Sequence, residues 1–426
     1  MDARAAAHDC LSMRLPAANG FLAERPPVAP WEWAVLAAIT AAGALLRFWA
    51  LGSLPPGLWY DEAINGLDAL SILREPGLPL FFTTNGHPRE PLYMYLELLG
   101  VLAGGTNGTA IRAVSGVLGT LAIPATWWMV REWRGPREAL LAAAILAGMR
   151  WHLHFSRLAF RTILSPLFAA VAGALLARVI RKRRLAESIL LGVVLGGVLY
   201  TYLSMRLFLV AVAIAGAIAL WRGLKGEGAH CPKRATAWAV VAAVLTFAPL
   251  ALHFVKNPAD FSGREDQVSL FDQGAEGWAR IAIQARDVAL APLLRGDHEG
   301  KHNLPGPPRF VQVHGWAVDP AQWAAEWSDA RRLGDAPDPH GTGVPIFDPL
   351  TGLLFYGALV LAAMKALRGD WPAQFALLWL ALGSLASILS FGAPNQLRLL
   401  LLAPLCALLL AEGAGWVLDA AREKGR

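Results

Sequence analysis

Charged side chains are scarce in this sequence: they make up 16% of its 426 residues, against 55% hydrophobic, with a mean hydropathy of +0.43. No single water-soluble core can hide that much apolar surface, so the composition excludes an ordinary soluble enzyme and implies an integral membrane protein. Cysteine is rarer still. Its three copies, Cys10, Cys231 and Cys406, lie far apart, and on the topology argued below none falls in an exported loop. That arrangement supplies neither a disulfide framework nor zinc-ligand spacing, and redox chemistry is not expected. Internal repeats and low-complexity tracts are also missing. Residues 1–30 carry Asp2, Asp9, Glu24 and several prolines without an apolar core, which reads as a polar cytoplasmic tail and not as a cleavable signal. The formal net charge of +6 does not point to nucleic acid, because the basic residues fall in short runs between apolar segments and not on one face.

What the chain does have is a succession of apolar runs, each about 17 to 25 residues with its flanks, the length that crosses a bilayer. They are Trp31 to Leu51, Ile111 to Val130, Glu138 to Met149, Ile163 to Ile180, Ser188 to Leu203, Leu207 to Trp221, Ala235 to Phe254, Leu350 to Leu367, Trp371 to Leu389 and Leu397 to Leu418. The expected fold is an all-α polytopic bundle of about ten spans. Leu92 to Gly104 is apolar but too short to cross, and it contains Glu97; it reads as a juxtamembrane helix at the outer interface. With that segment not crossing, the basic runs at Arg131/Arg134/Arg137, Arg181 to Arg184, Arg222/Lys225/Lys233/Arg234, Lys365/Arg368 and Arg422/Lys424/Arg426 all share the side of the N-terminus. Positive charge collects on the cytoplasmic side of membrane proteins, so both termini are expected there. The resulting plan has a tail at 1–30, a catalytic transmembrane module at 31–254 with an outer loop at 52–108, a long outer loop or cap at 255–349, transmembrane helices at 350–418 and a tail at 419–426. The long loop is too extended for a plain connector and reads as an ordered cap or lid.

Polar motifs concentrate in the outer segments. Trp59-Tyr60-Asp61-Glu62 opens a stretch whose apolar residues recur at helical spacing. Two acids there are costly near hydrocarbon, which suits a site that needs a base, although an acid at a helix start also serves simply as a cap. His87-Pro88-Arg89-Glu90-Pro91 offers an imidazole, a guanidinium and a carboxylate on one stiff turn. His87 and Glu90 with Glu62 have the chemistry to ligate a divalent cation, but their spacing matches no strong metal signature; a solvated loop is the plainer reading. Arg150-Trp-His152-Leu-His154-Phe-Ser-Arg157-Leu-Ala-Phe-Arg161 places arginines and histidines on the side where positive charge is disfavoured. With Arg206 and Arg398 they describe an anion site, since the guanidinium fork suits phosphate oxygens; singly, each also reads as a snorkelling anchor. Arg295 to Gly306 and Phe261 to Ser269 are weaker signals of mixed His, acid and base.

Taken in order, Gly57-Leu-Trp-Tyr-Asp-Glu-Ala-Ile-Asn-Gly66, Arg89-Glu-Pro-Leu-Tyr93, Trp151-His-Leu-His-Phe-Ser-Arg157, Tyr200-Thr-Tyr-Leu and His302-Asn-Leu-Pro-Gly306 resemble the bacterial dolichyl-phosphate-mannose-protein mannosyltransferase-like family, which includes relatives of the aminoarabinose transferases. The resemblance runs from about Trp31 to Leu418 and is strongest up to Arg184. It implies a GT-C membrane glycosyltransferase of the bacterial inner membrane, with a polyprenyl-phosphate-linked sugar as donor and an acceptor hydroxyl on a protein, lipid or glycan at the outer face. It also implies Asp61 as the catalytic carboxylate with Glu62 beside it. Arg89, Arg157, Arg161 and Arg206 would then bind the lipid phosphate, and His87, Glu90, His152 and His154 would face substrate or a divalent metal. Where relatives often carry a basic residue before Pro-Pro, this chain has Arg89-Glu90-Pro91, and residues 307–345 look inserted. Two other classes stay open: a lipid-linked-sugar transporter or flippase, which calls for ionisable groups near mid-membrane, and a catalytically silent membrane partner.

Overall fold

The computed structural model describes residues 21, 23–55, 57–74, 77–83, 88–224, 233–261, 263, 274–297, 344–390 and 392–424. Among these the regular structure is helical: α1 Pro30–Phe48, α2 Tyr60–Ser71, α3 Leu92–Gly104, α4 Gly108–Trp133, α5 Pro136–Gly148, α6 Arg150–Phe155, α7 Leu164–Lys182, α8 Leu185–Val198, α9 Met205–Leu224, α10 Lys233–Lys256, α11 Gly274–Leu290, α12 Pro349–Leu367, α13 Trp371–Ile388, α14 Gln396–Leu399 and α15 Ala403–Lys424. Every apolar run read from the sequence falls on a helix. Seven helical stretches are long and apolar enough to cross a membrane: Pro30–Phe48, Gly108–Trp133, Arg161–Lys182, Lys233–Lys256, Pro349–Leu367, Trp371–Ile388 and Gln396–Glu423. The apolar stretches Leu185–Val198 and Met205–Trp221 are shorter, and α5 has 13 residues.

The core is the packing of α4, α5, α7 and α15. Alanines occupy the facing positions, among them Ala139, Ala142 and Ala143 on α5, Ala170 and Ala174 on α7, and Ala403, Ala407 and Ala411 on α15. Lipid exerts no hydrophobic drive to bring helices together, so close approach through small side chains is what holds such a bundle. The same logic governs α8 and α10: a Cβ at Gly192 would meet the Ala239 carbonyl oxygen at 2.2 Å, and one at Gly196 the Ala243 oxygen at 2.6 Å. In contrast, α10 leaves Val240, Val241, Val244 and Leu245 exposed, an apolar surface of the kind that lipid covers.

Pairs along α1 and α4 set their relative direction. Arg131 pairs with Glu32 at 2.9 Å, while Gly116 lies against the Phe48 ring, so the two helices run antiparallel and charge gathers at opposite ends of the bundle. At the Glu32 end, Arg178 and Arg181 meet Glu132, Arg134 meets Asp370 and Glu412, and Lys365 meets Glu412. Much of the cationic signal expected on that side is therefore neutralised by carboxylates from distant parts of the chain. At the other end, Arg47 is fully buried and donates to the carbonyls of Gly43 at 2.8 Å and Ala147 at 3.1 Å, which supplies a donor for the C-terminus of α5.

The short helix α3, expected at the interface, packs its Tyr93, Met94, Glu97 and Leu98 face inward and touches α2 and α4. Within the long loop, α11 packs on α13 and its C-terminal turn is tied down by Tyr356, whose hydroxyl donates to the Ala289 carbonyl at 2.7 Å. Residues 298–343, with the His302 to Gly306 motif, lie outside the described residues.

Candidate active site

Asp61 stands in the first turn of α2, partly exposed. It lines a cavity of about 60 Å³ together with Asn65, Arg161, Tyr202, Asn395 and Arg398. Those residues come from four separate parts of the chain: α2 in the segment after α1, the 3₁₀ turn Arg161–Ile163, the α8–α9 turn, and the α13–α14 turn with the α14 that follows it. Each group is placed by local chemistry. The Asn65 amide donates to the Ala159 carbonyl at 2.9 Å, tying α2 to the segment that carries Arg161. Asn395 caps α14 by accepting from the Arg398 N–H at 3.1 Å, and the Arg398 guanidinium donates to the Ser390 hydroxyl. Arg161 lies over the Tyr202 ring at 5.2 Å and pairs with Glu90 at 3.2 Å.

Arg89 belongs to the same neighbourhood through a different partner. Its guanidinium pairs with Asp68 at 2.8 Å, both side chains buried, and its backbone bridges to Phe82. Burial pushes the Arg89 pKa below its ordinary value; the charges acting on it are those of Asp68, Arg161 and Asp61. These groups therefore share one field.

Glu62 behaves unlike its neighbour. It is fully buried and accepts from the Trp59 N–H at 2.9 Å, the Ala159 N–H at 2.9 Å and the Arg112 guanidinium at 2.7 and 2.8 Å. Arg112 also donates to the Pro55 carbonyl at 2.7 Å and to that of Gly57 at 2.5 Å. This carboxylate closes the start of α2, anchors the 158–160 segment and neutralises a buried arginine from α4. The contrast follows from helical geometry, since residues one apart point about 100° away from each other.

Several other residues singled out in the sequence sit elsewhere. Arg157 donates to the carbonyls of Leu46 at 2.8 Å, Arg47 at 3.0 Å and Leu54 at 2.9 Å, so its guanidinium clamps the C-terminus of α1 and does not line the cavity around Asp61. Arg206 stacks on Phe261 at 4.4 Å and donates to the Phe261 carbonyl at 3.1 Å. His152 is fully buried with Nδ1 2.9 Å from an Arg47 nitrogen. Burial and the Arg47 charge push its pKa well below the ordinary value, so the ring is neutral and accepts from Arg47. His154 packs edge-on against Phe155. His87 lies outside the described residues. Among the described residues no group of three or more His, Cys, Asp or Glu side chains is placed to hold a metal ion, so the described side chains do not fit a divalent cation held by such ligands.

The sequence reading did not single out Asn65, Asp68, Arg112, Tyr202 or Asn395 for site roles. Asp68 and Asn65 share the α2 face of Asp61 at helical spacing, a signal that was there to be read; Arg112 comes from α4 and Tyr202 and Asn395 from turns, all far from Asp61 in sequence.

The architecture is the GT-C fold of membrane glycosyltransferases. Residues 86–253 match the family described as dolichyl-phosphate-mannose-protein mannosyltransferase. Among solved structures, the oligosaccharyltransferase AglB of Archaeoglobus fulgidus, in complex with an inhibitory peptide and a dolichol-phosphate, superposes with a TM-score of 0.55 at 16% identity, over 92% of this chain and 51% of that one. ArnT of Cupriavidus metallidurans, bound to undecaprenyl phosphate, superposes with a TM-score of 0.55 at 15% identity, over 90% of this chain and 60% of that one. This chain thus spans between about half and three-fifths of those proteins. A search of curated proteins returned no match. Fold and family match together make this an integral membrane protein that resembles the GT-C mannosyltransferases and aminoarabinose transferases.

Proposed function

We propose that this protein is a glycosyltransferase that moves a sugar from a polyprenyl-phosphate donor to an acceptor hydroxyl. The observation that carries the reading is the convergence of Asp61 with Arg161 and Arg398 in one cavity built from four parts of the chain at the same end of the bundle. The dolichol-phosphate and undecaprenyl phosphate in the structures of AglB and ArnT support a lipid-phosphate donor.

In this mechanism Asp61 accepts the proton of the acceptor hydroxyl as that oxygen bonds to the anomeric carbon. The bond from that carbon to the phosphate oxygen breaks, and its electron pair leaves with the polyprenyl phosphate. Arg161 and Arg398 face the growing negative charge and stabilise it, the electrostatic contribution that usually dominates. Arg89 sits behind them with its charge balanced by Asp68, and holds the segment after Phe82 against α2. Glu62 and Arg157 hold the site's framework, and Arg206, packed on Phe261, is assigned no contact with the leaving group. The acceptor class, whether protein, lipid or glycan, stays with the outer loops.

The positive-inside pattern supports a multi-pass protein of the bacterial inner membrane with both termini cytoplasmic and the Asp61 cavity on the outer face. The test is transfer of radiolabelled sugar from a set of polyprenyl-phosphate sugars by the purified protein in nanodiscs. Asp61→Asn should cost about 10²- to 10⁴-fold in rate with the fold intact; undiminished turnover rejects the assignment.

A further inference from the structure

A second and larger cavity, about 640 Å³, lies at the Glu32 end of the bundle. Glu32 to Phe48 on α1 spans about 24 Å at 1.5 Å per residue, so this cavity and the Asp61 cleft sit at opposite ends. One wall is apolar and aromatic, formed by Trp33, Leu36, Pro124, Trp127 and Trp128. Trp33 is 55% exposed and stands 5.3 Å from Trp127, so the cavity opens beside a tryptophan of the kind that sits at headgroup depth.

Cations line the same cavity, Arg131 over the Trp127 ring at 5.8 Å and Arg178 over the Trp128 ring at 6.0 Å. Arg25, Arg131, Arg178 and Lys182 line it against the single carboxylate Glu132. Arg131 is balanced by Glu32 and Arg178 by Glu187, while Arg181 from outside the wall takes Glu132. Arg25 donates to the carbonyls of Glu132 at 3.1 Å and Trp133 at 2.8 Å. Burial pushes its pKa down, with the charges of Arg134 and Arg131 adding to the shift and that of Glu138 opposing it. Lys182 brings a further cation to the lining. One donor in the apolar wall is also unsatisfied: the Trp127 indole N–H is buried without an acceptor.

We infer that this cavity holds an anionic phospholipid of the leaflet at the Glu32 end, its acyl chain along Trp33, Leu36 and Pro124 and its phosphate facing Arg25 and Lys182. The lateral opening at Trp33 favours a bilayer lipid over a soluble anion. A phosphate here is far from Asp61 and takes no part in transfer; its role is to tie the α1, α4 and α7 ends to the membrane surface.

Native mass spectrometry of the purified full-length protein in detergent, with added phosphatidylglycerol, phosphatidylcholine or inorganic phosphate, tests this. The expected result is preferential retention of phosphatidylglycerol, reduced about fivefold by Lys182→Gln, the ratio one basic side chain commands at an anionic surface, and reduced again in Lys182→Glu. Arg25 is left intact because it caps α4. Equal retention of both lipids, or a preference untouched by Lys182→Gln and Lys182→Glu, overturns the inference, as does full displacement of phosphatidylglycerol by inorganic phosphate, which would make the site one for a free anion. The readout is binding and does not depend on glycosyl transfer.

Discussion

Replacing either member of the Asp61-Glu62 pair removes one carboxylate, yet the structure assigns the two losses to different properties. In Glu62→Ala, Arg112 keeps its place among buried groups but loses the carboxylate that met it at 2.7 and 2.8 Å, and the N–H groups of Trp59 and Ala159 lose their acceptor. Breaking a buried ion pair from one side costs about 3–5 kcal/mol, and the two stranded N–H groups are part of the same network, so their costs do not simply add. A loss of that size is comparable to the whole stability of many domains. Asp61→Asn, partly exposed in the cavity, should leave stability within about 0.5 kcal/mol. Thermal unfolding followed by size-exclusion chromatography in detergent, run beside the transfer assay, separates the two. The expected pattern is an early-melting Glu62→Ala and a stable, inactive Asp61→Asn. Removing both partners in Glu62→Leu/Arg112→Met should recover part of the lost stability, because no charge is then left buried alone. A Glu62→Ala protein that melts with the wild type, or an Asp61→Asn protein that melts as early as Glu62→Ala, would refute the division of labour.

Arg157→Ala should lower stability by about 1–2 kcal/mol, since three carbonyls at and beyond the end of α1 lose their donor; donor KM should be unchanged, and a large rise in KM would return Arg157 to the phosphate. Asp348 caps α12 by accepting from the N–H groups of Leu350 at 3.1 Å and Thr351 at 3.0 Å, so Asp348→Ala should cost about 1 kcal/mol in chemical denaturation. The hydrogen bonds from Thr351 hold the Asp348 pKa below its ordinary value. Its stabilisation is therefore present above the unfolded carboxylate pKa and lost as pH falls through the lower folded value; a wild-type advantage over Asp348→Ala that grows on acidification would contradict this. Gly192→Val forces a side chain into the Ala239 carbonyl and should cost about 1–3 kcal/mol by overpacking, read as earlier melting; a neutral result would mean that α8 and α10 are not held at this separation.

How much of this was legible in advance depends on the kind of residue. Helix positions were readable because burial in lipid demands long apolar runs, and Trp31 to Leu51 or Ala235 to Phe254 carry the signal within themselves. Asp61 was readable for a related reason, as charge standing beside hydrocarbon. Arg157 was not: guanidinium at an outer span end looks the same in sequence whether it faces phosphate or the carbonyls of Leu46 and Leu54. The same applies to Arg131 and Arg134, whose carboxylate partners Glu32, Asp370 and Glu412 come from opposite ends of the chain.

By itself, then, the sequence determined that the chain enters a membrane, where its helices run, and that acid and guanidinium collect in the connections at one end, because hydropathy and charge are properties of short segments. Only the tertiary structure decided which acid of the pair is spent on architecture, which arginines share the Asp61 cavity, and that a tryptophan-walled, cation-rimmed cavity exists at the far end. Those outcomes depend on distances between residues as far apart as Asp61 and Arg398, and such distances are set by helix packing, which no local pattern encodes.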